Sequence, residues 1–168
     1  MRSRLFTALG LFTLILFVTS TAQAKDLANR LGVGIKNNNS FDVPAVAAVY
    51  YPNADVGLTG SLGVDTAEDH SAFAFNVGIR RILFRENQMN FYYGGQAGLV
   101  NRETPTATGS DQDSGFELNV VFGAEFFFTG LESLGFTFEA GAGLTSMDET
   151  RFRTIADHPL RAGLIFYF

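Results

Sequence analysis

Six charged residues of this sequence stand inside otherwise apolar or glycine-rich segments. Three are basic and three are acidic: Lys36, Arg80, Glu117, Glu125, Glu139 and Arg161. Burying an unpaired charge is costly, so equal numbers of both signs favour ion pairs. Counting along the segments places Lys36, Arg161 and Glu117 towards one rim of the structure and the other three deeper. We predict a network of paired charges that fills an interior; a selectivity filter is the alternative.

Groups capable of catalysis are sparse and poorly placed. Asp69, His70 and Ser71 are adjacent in one polar segment, and adjacent residues of an extended chain point in opposite directions, which disfavours a catalytic triad. His158 stands beside Asp157 in a similar position. The acidic residues of the polar segments lack the spacing of a calcium-binding loop. We therefore predict no catalytic residue, no metal site and no cofactor.

The segments that carry these residues alternate between apolar and polar or glycine positions, which predicts β-strands. The pattern is strongest over 115–128, where Phe116, Leu118 and Val120 alternate with Glu117 and Asn119. Turn-like residues separate the segments, which cover 29–36, 43–51, 56–64, 71–83, 91–100, 115–128, 134–145 and the C-terminal stretch that ends at Phe168. We predict an all-β fold in which eight antiparallel strands form an up-and-down barrel.

The direction in which the apolar face points separates two architectures. A soluble ligand-binding barrel turns that face inward, and a transmembrane barrel turns it towards lipid. The second face is rich in glycine and poor in long charged side chains, unlike a face in contact with water. Because glycine weakens strands, its abundance is better explained by a narrow, filled interior. The pattern therefore favours the transmembrane barrel and keeps the soluble periplasmic barrel as an alternative.

Aromatic residues and loop lengths also favour a membrane barrel. Aromatic side chains cluster beside the short connections at 52–55, 85–90 and 129–133 and predict a girdle at one membrane interface, formed by Tyr51, Phe91, Tyr93, Phe126 and Phe128. The opposite connections, Asn101–Ser114 and Ser146–Asp157, are longer and polar. Short periplasmic turns and long surface loops are typical of outer-membrane barrels.

The two ends of the chain indicate export. Residues 1–24 begin with two arginines, continue with an apolar stretch and end in Ala22-Gln23-Ala24, which predicts a cleavable signal peptide followed by one domain over 25–168. The chain has no cysteine, and its mature part would carry 10 basic and 17 acidic residues. This acidic balance argues against a nucleic-acid partner.

The C-terminal stretch carries a resemblance to a known family. Its outer face has Leu160, Leu164, Phe166 and Phe168, and it ends on an aromatic residue. In this respect the chain resembles the bacterial outer-membrane β-barrel family, in particular the small eight-stranded OmpA- and OmpX-like barrels. The resemblance implies that these four residues form the signal read by the outer-membrane assembly machinery. It also implies contact with outer-membrane lipid and lipopolysaccharide.

These observations lead to a functional prediction. We expect a monomeric, non-enzymatic protein of the bacterial outer membrane that has a structural role or displays Asn101–Ser114 and Ser146–Asp157 for contact or adhesion. A narrow passive pore is one alternative. The other is a lipid A-modifying enzyme, because some eight-stranded barrels have that activity.

Overall fold

The computed structural model describes residues 25–37, 43–66, 71–106, 109–154 and 160–168. In these ranges no helix has the length and apolarity needed to cross a membrane. The secondary structure there consists of nine strands: β1 (Leu31–Asn37), β2 (Pro44–Tyr50), β3 (Val56–Asp65), β4 (Ala72–Glu86), β5 (Met89–Thr106), β6 (Gly109–Phe128), β7 (Leu131–Ser146), β8 (Thr150–Thr154) and β9 (Arg161–Tyr167). The predicted signal peptide, residues 1–24, lies outside the described residues.

The strands close into a barrel with an eight-stranded wall. Strands β1 to β7 each pair antiparallel with the next strand in sequence, and β9 pairs with both β7 and β1. The closing pairs run from Gly32 opposite Tyr167 to Lys36 opposite Gly163. Strand β8 pairs with β7 only, on the edge that β9 also uses. Strands β8 and β9 therefore form the outer and inner parts of one interrupted wall strand, and the predicted eight-stranded antiparallel barrel is confirmed.

The apolar face of the strands is the outer surface of the barrel. On β6, Phe116, Val120 and Phe122 are exposed, whereas Glu117 and Val121 between them are buried. The other strands show the same alternation of exposed apolar and buried side chains, because successive side chains of a strand point to opposite faces of the wall. Most charged, amide and glycine residues of the wall consequently face the interior, as the alternation predicts; Arg81, Gly60 and Gly95 are exceptions on the outer face.

Short turns join the strands at one end of the barrel, which we call the short-turn end. We call the other end, where β5 and β6 form a long hairpin, the hairpin end. The connection between β2 and β3 is held by Asn53, whose Oδ1 accepts hydrogen bonds from the backbone N–H groups of Asp55 (2.9 Å) and Val56 (3.0 Å). The connection between β6 and β7 is a two-residue turn in which Gly130 has φ +85°, a conformation that glycine adopts without strain. The C-terminal Phe168 lies at the same end, where its N–H donates to the carbonyl of Leu31.

Two segments that we predicted as loops contain strands. Strands β5 and β6 remain paired from Asn101 opposite Ser114 out to Thr106 opposite Gly109, so the predicted loop Asn101–Ser114 is mostly a projecting hairpin. Part of the predicted loop Ser146–Asp157 is β8. The residues of these segments do not alternate regularly between apolar and polar positions. The signal used to predict strands is therefore absent there.

Candidate functional site

A buried ion pair lies at the centre of the interior near the short-turn end. Arg80 Nη2 lies 3.1 Å from Glu125 Oε2, and both side chains are almost fully buried. Arg80 also donates to the hydroxyl of Tyr167 at 2.7 Å, and that hydroxyl donates to Glu125 Oε1 at 2.6 Å. Both carboxylate oxygens of Glu125 and the Tyr167 hydroxyl are therefore hydrogen-bonded, as groups removed from water require, whereas Arg80 Nε has no partner among the described residues.

Two further tyrosines enclose the guanidinium of Arg80. Its Cζ lies 4.9 Å from the ring centroid of Tyr51 and 4.6 Å from that of Tyr92. Both distances suit cation–π attraction, which strengthens when the partners are shielded from water. Tyr92 has room because Gly123 lies beside it: a Cβ at that position would approach the ring to 2.5 Å. The glycine-rich inner face is thus explained by the large rings packed against it.

A second ion pair continues the network towards the hairpin end. Arg161 Nη2 lies 3.2 Å from Glu139 Oε2, and Tyr92 donates to Glu139 Oε1 at 2.9 Å. Tyr92 therefore connects the two ion pairs. Lys36, half-buried on the inner face of β1, lies close enough to Glu139 to interact with it electrostatically. We call Arg80, Glu125, Tyr167, Tyr92, Glu139 and Arg161, together with Tyr51 and Lys36, the charge–tyrosine network.

The third acidic residue lies apart from this network. Glu117 is completely buried and belongs to none of the ion pairs between described residues. Asn76 and Asn119 place their side chains beside its carboxylate, but neither carboxylate oxygen has a hydrogen bond of good geometry. Side-chain polar atoms of Asn76, Asn119 and Arg161 are likewise buried without a hydrogen bond of good geometry. The interior on the hairpin side is thus polar and incompletely paired.

A cluster of buried apolar side chains, which we call the floor, lies inside the barrel at the short-turn end. Its buried side chains include those of Leu27, Ile82, Phe127 and Ile165, packed with the tyrosine rings of the network. Leu27 belongs to the segment before β1, which is held by Asn90 Nδ2 donating to the carbonyl of Lys25 at 3.3 Å. Residues N-terminal to the first strand therefore fold under the barrel and complete the floor.

The structure places all six predicted charged residues on the inner face but corrects their depths. We predicted Arg161 near one rim and Glu139 deeper, whereas the pairing of β7 with β9 sets them directly opposite each other. The depth prediction was wrong because counting along single strands does not reveal how neighbouring strands are staggered. The sequence analysis also missed Tyr92 and Tyr167 as partners of the charges, although both occupy polar-face positions of the alternation.

The predicted aromatic girdle needs one correction. Tyr93, Phe126 and Phe128 face outward near the short-turn end, and the half-buried Phe91 stacks on Phe84 with ring centroids 4.4 Å apart. Tyr51 was predicted wrongly, because its side chain is completely buried inside the barrel. Both faces of the segment around β2 are apolar, so the alternation there did not reveal which of the two adjacent tyrosines points outward.

The four residues of the predicted assembly signal lie on or beside the closing strand. Leu160, Phe166 and Phe168 are exposed on the outer surface, and Leu164 is half-buried. The rings of Phe166 and Phe168 meet edge to face at 5.4 Å. These residues therefore form an accessible outer ridge at the end of the chain, and their recognition by assembly machinery remains a prediction.

Few groups in the described chain have the arrangement that catalysis or metal binding requires. His70, Asp69, His158 and Asp157, which we considered for catalysis, lie outside the described residues. Among the described residues no group of three or more His, Cys, Asp or Glu side chains could hold a metal ion. The chemistry that the interior supports is charge pairing and hydrogen bonding within a closed wall.

Comparison with known proteins identifies the fold. No protein-family model and no curated protein matches the sequence. The N-terminal β-barrel domain of Pseudomonas aeruginosa OprF superposes with a TM-score of 0.63 at 12% identity, covering 84% of this chain and 98% of that domain. Neisserial surface protein A matches with a TM-score of 0.42 at 13% identity, covering 82% and 90% of the two chains. With the closed eight-stranded wall, the first likeness establishes the fold as that of the small outer-membrane β-barrels.

Proposed function

We propose that this protein is an integral barrel of the bacterial outer membrane with a structural or surface-display role rather than an enzymatic one. The observation that carries the proposal is the inverted polarity of the wall. Large apolar side chains are exposed around the outer surface, whereas Glu117, Glu125, Glu139, Arg80 and Arg161 are buried inside. Water would not stabilise such an exterior, but the hydrocarbon of a bilayer would.

The charge–tyrosine network and the floor support a closed barrel. Support comes from Arg80, Tyr51, Tyr92 and Tyr167, which contact one another or Glu125 at one level inside the barrel. A barrel with eight strands has an interior just wide enough for side chains to fill. We therefore expect no large, stable conductance in planar bilayers. Frequent large openings would favour the narrow passive pore instead.

The projecting hairpin is the element best suited to display. Asn101 Nδ2 donates to Ser114 Oγ at 2.7 Å, and Gln112 Nε2 donates to Asn101 Oδ1 at 3.2 Å. Ser71 Oγ donates to Glu103 Oε2 at 2.7 Å and links the hairpin to the start of β4. These cross-strand bonds stabilise a polar ribbon beyond the apolar band, which can present its side chains to a surface partner.

The absence of cysteine from the sequence provides a direct test of location and orientation. Single cysteines would be introduced as Ser110→Cys in the projecting hairpin and Asn87→Cys in the turn between β4 and β5. In intact Gram-negative cells we expect a membrane-impermeant maleimide to label the first variant and not the second, and both to be labelled after lysis. Equal labelling in intact cells, or extraction of the protein by salt without detergent, would contradict the proposal.

A further inference from the structure

Arg81 interrupts the apolar outer surface of β4. Its outer-face neighbours along the strand, Ile79 and Leu83, are both 53% exposed, and its cross-strand partners are Val56 and Tyr93. None of the ion pairs or hydrogen bonds between described residues involves the guanidinium of Arg81. A cation on such a face needs an anion or water within reach of its side chain.

The surroundings of Arg81 form a recess at the short-turn end. A cavity of about 580 Å³ is lined by Arg81, by Asn53 and Asp55 of the β2–β3 turn and by Tyr93. The neighbouring acid, Asp55, is already engaged by Arg85 at 2.9 Å. The recess therefore combines a cation that pairs with no described acidic residue, the Asp55–Arg85 ion pair, an amide and an aromatic ring at the level of a turn.

A second, apolar groove begins where this recess ends. It has a volume of about 730 Å³, and it shares Ile79 and Gly95 with the recess. Small residues form its base, because Gly95, Ala97 and Ala142 lie between taller neighbours such as Leu118 and Leu144. Continuity between a cationic recess and an apolar groove matches the two parts of a lipid molecule.

The course of the groove follows from strand register. Its lining residues form two cross-strand rows, one from Val77 through Ala97 to Phe152 on β8, and one from Ile79 through Gly95 to Ala142. Strands lie about 4.8 Å apart, so the longer row spans about 19 Å from β4 to β8. One leaflet contributes roughly half of a hydrocarbon core that is about 30 Å thick. Because the strands of such barrels are tilted, these rows run obliquely around the wall, and an acyl chain in the groove would follow an oblique path.

We propose that Arg81 and this groove form a binding site for an anionic glycerophospholipid of the membrane leaflet at the short-turn end. The guanidinium of Arg81 binds the phosphate, and one acyl chain lies over Gly95 and Ala142. The proposal rests on the proposed membrane location of the barrel. A lipid is favoured over a second copy of the chain because one lipid molecule supplies both an anionic phosphate for the recess and an apolar chain for the groove.

The test uses two pairs of matched variants. Arg81→Gln removes the unpaired cation, and Arg85→Gln removes a cation at the same end that is already paired with Asp55. Gly95→Leu fills the groove, and Gly60→Leu adds the same bulk to the outer face of β3. A Cβ at Gly95 or Gly60 would meet only a backbone oxygen, at 3.9 and 3.8 Å respectively, so both substitutions fit the wall.

The full-length mature protein would be reconstituted with phosphatidylglycerol and phosphatidylcholine, and retained lipid would be counted by native mass spectrometry. We expect wild type to prefer phosphatidylglycerol and Arg81→Gln to lose roughly fivefold of that preference, as expected for one basic side chain near anionic lipid. Gly95→Leu should lower retention of both lipids. Gly60→Leu should match wild type, and Arg85→Gln, which releases the Asp55 carboxylate, should lose less of the preference than Arg81→Gln.

Several outcomes would overturn the lipid site while leaving the membrane barrel intact. Equal retention by Arg81→Gln and Arg85→Gln, or by Gly95→Leu and Gly60→Leu, would do so, as would a lipid-independent dimer that Gly95→Leu abolishes. High salt provides a readout on wild type alone: it should lower retention of phosphatidylglycerol and not of phosphatidylcholine. If the membrane location itself is wrong, the result is different: neither wild type nor any variant would need detergent for extraction or retain lipid.

Discussion

The two halves of the barrel interior are built from similar residues and differ in how completely those residues are paired. Near the short-turn end, Arg80 and Tyr167 bind both carboxylate oxygens of Glu125 beside an apolar floor, although Arg80 Nε, the Tyr51 hydroxyl and Asn90 Oδ1 have no hydrogen-bond partner among the described residues. Towards the hairpin end, Glu117 and Asn76 are equally buried but retain polar atoms without hydrogen bonds.

This difference indicates where the stability of the barrel resides. Removing the partner of a buried charged group should lower the free energy of unfolding more than substituting a buried group that has no partner. Only the first substitution removes an interaction that offsets the cost of desolvation. Substitutions in the short-turn half should therefore be costly, and matching substitutions in the hairpin half should be mild. Four substitutions test this contrast.

The largest effect is expected for Arg80→Met. It leaves Glu125 buried without a cation and removes the contacts with Tyr51 and Tyr92, so the free energy of unfolding should fall by about 3–5 kcal/mol. Urea titration of the protein in phospholipid vesicles measures this value. Arg85→Met, which breaks an exposed pair with Asp55, is the control and should cost about 1 kcal/mol or less. Equal losses in the two variants would contradict the contrast.

A smaller loss is expected for Leu27→Ala. The side chain is 2% exposed within the floor, and its truncation leaves a cavity that should cost about 2–4 kcal/mol. The same titration measures the change, and Leu31→Ala on the exposed outer surface of β1 is the control. If the free energy of unfolding is unchanged by Leu27→Ala, the segment before β1 does not contribute to the floor.

Tyr167→Phe removes one hydroxyl from the charge–tyrosine network. Glu125 loses its 2.6 Å donor and Arg80 loses its 2.7 Å acceptor, so the free energy of unfolding should fall by about 1–3 kcal/mol. Tyr93→Phe, on the outer surface, provides the control and should change stability little. A Tyr167→Phe protein as stable as its control would show that the hydroxyl is not part of the network.

The smallest effect is expected for Glu117→Gln in the hairpin half. The substitution breaks no ion pair between described residues and removes a buried charge, so stability should change by less than about 1 kcal/mol or rise. Glu125→Gln is the matched comparison and should destabilise the protein. A loss for Glu117→Gln as large as that for Glu125→Gln would mean that the two halves are equally paired.

The sequence predicts the barrel well because a wall with an apolar outer face and a polar inner face requires alternation along every strand that it contains. Residues such as Phe116, Val120 and Phe122 therefore reveal both the strand and its outer face. The prediction fails where that requirement ends. The hairpin around Gly109 and strand β8 lie beyond or beside the continuous wall, and both segments were predicted as loops.

The interior was predictable in composition and less so in geometry. The inward direction of Arg80 and Glu125 follows from alternation within a strand. The contact between Arg161 and Glu139 depends on the stagger between β7 and β9, which no single strand encodes. Tyr51 was misplaced because β2 has small apolar residues on both faces, including Ala45 and Ala48, and its pattern does not distinguish inside from outside.

The central claim is that the apolar face of each strand meets lipid while the charged face is enclosed. Consecutive single cysteines from Leu118 to Ala124 on β6, each carrying a nitroxide spin label in phospholipid vesicles, test it most directly. Oxygen, which concentrates in the bilayer, should collide with labels at even positions and be shielded from labels at odd positions. Reversed alternation, or uniform accessibility along β6, would contradict the account.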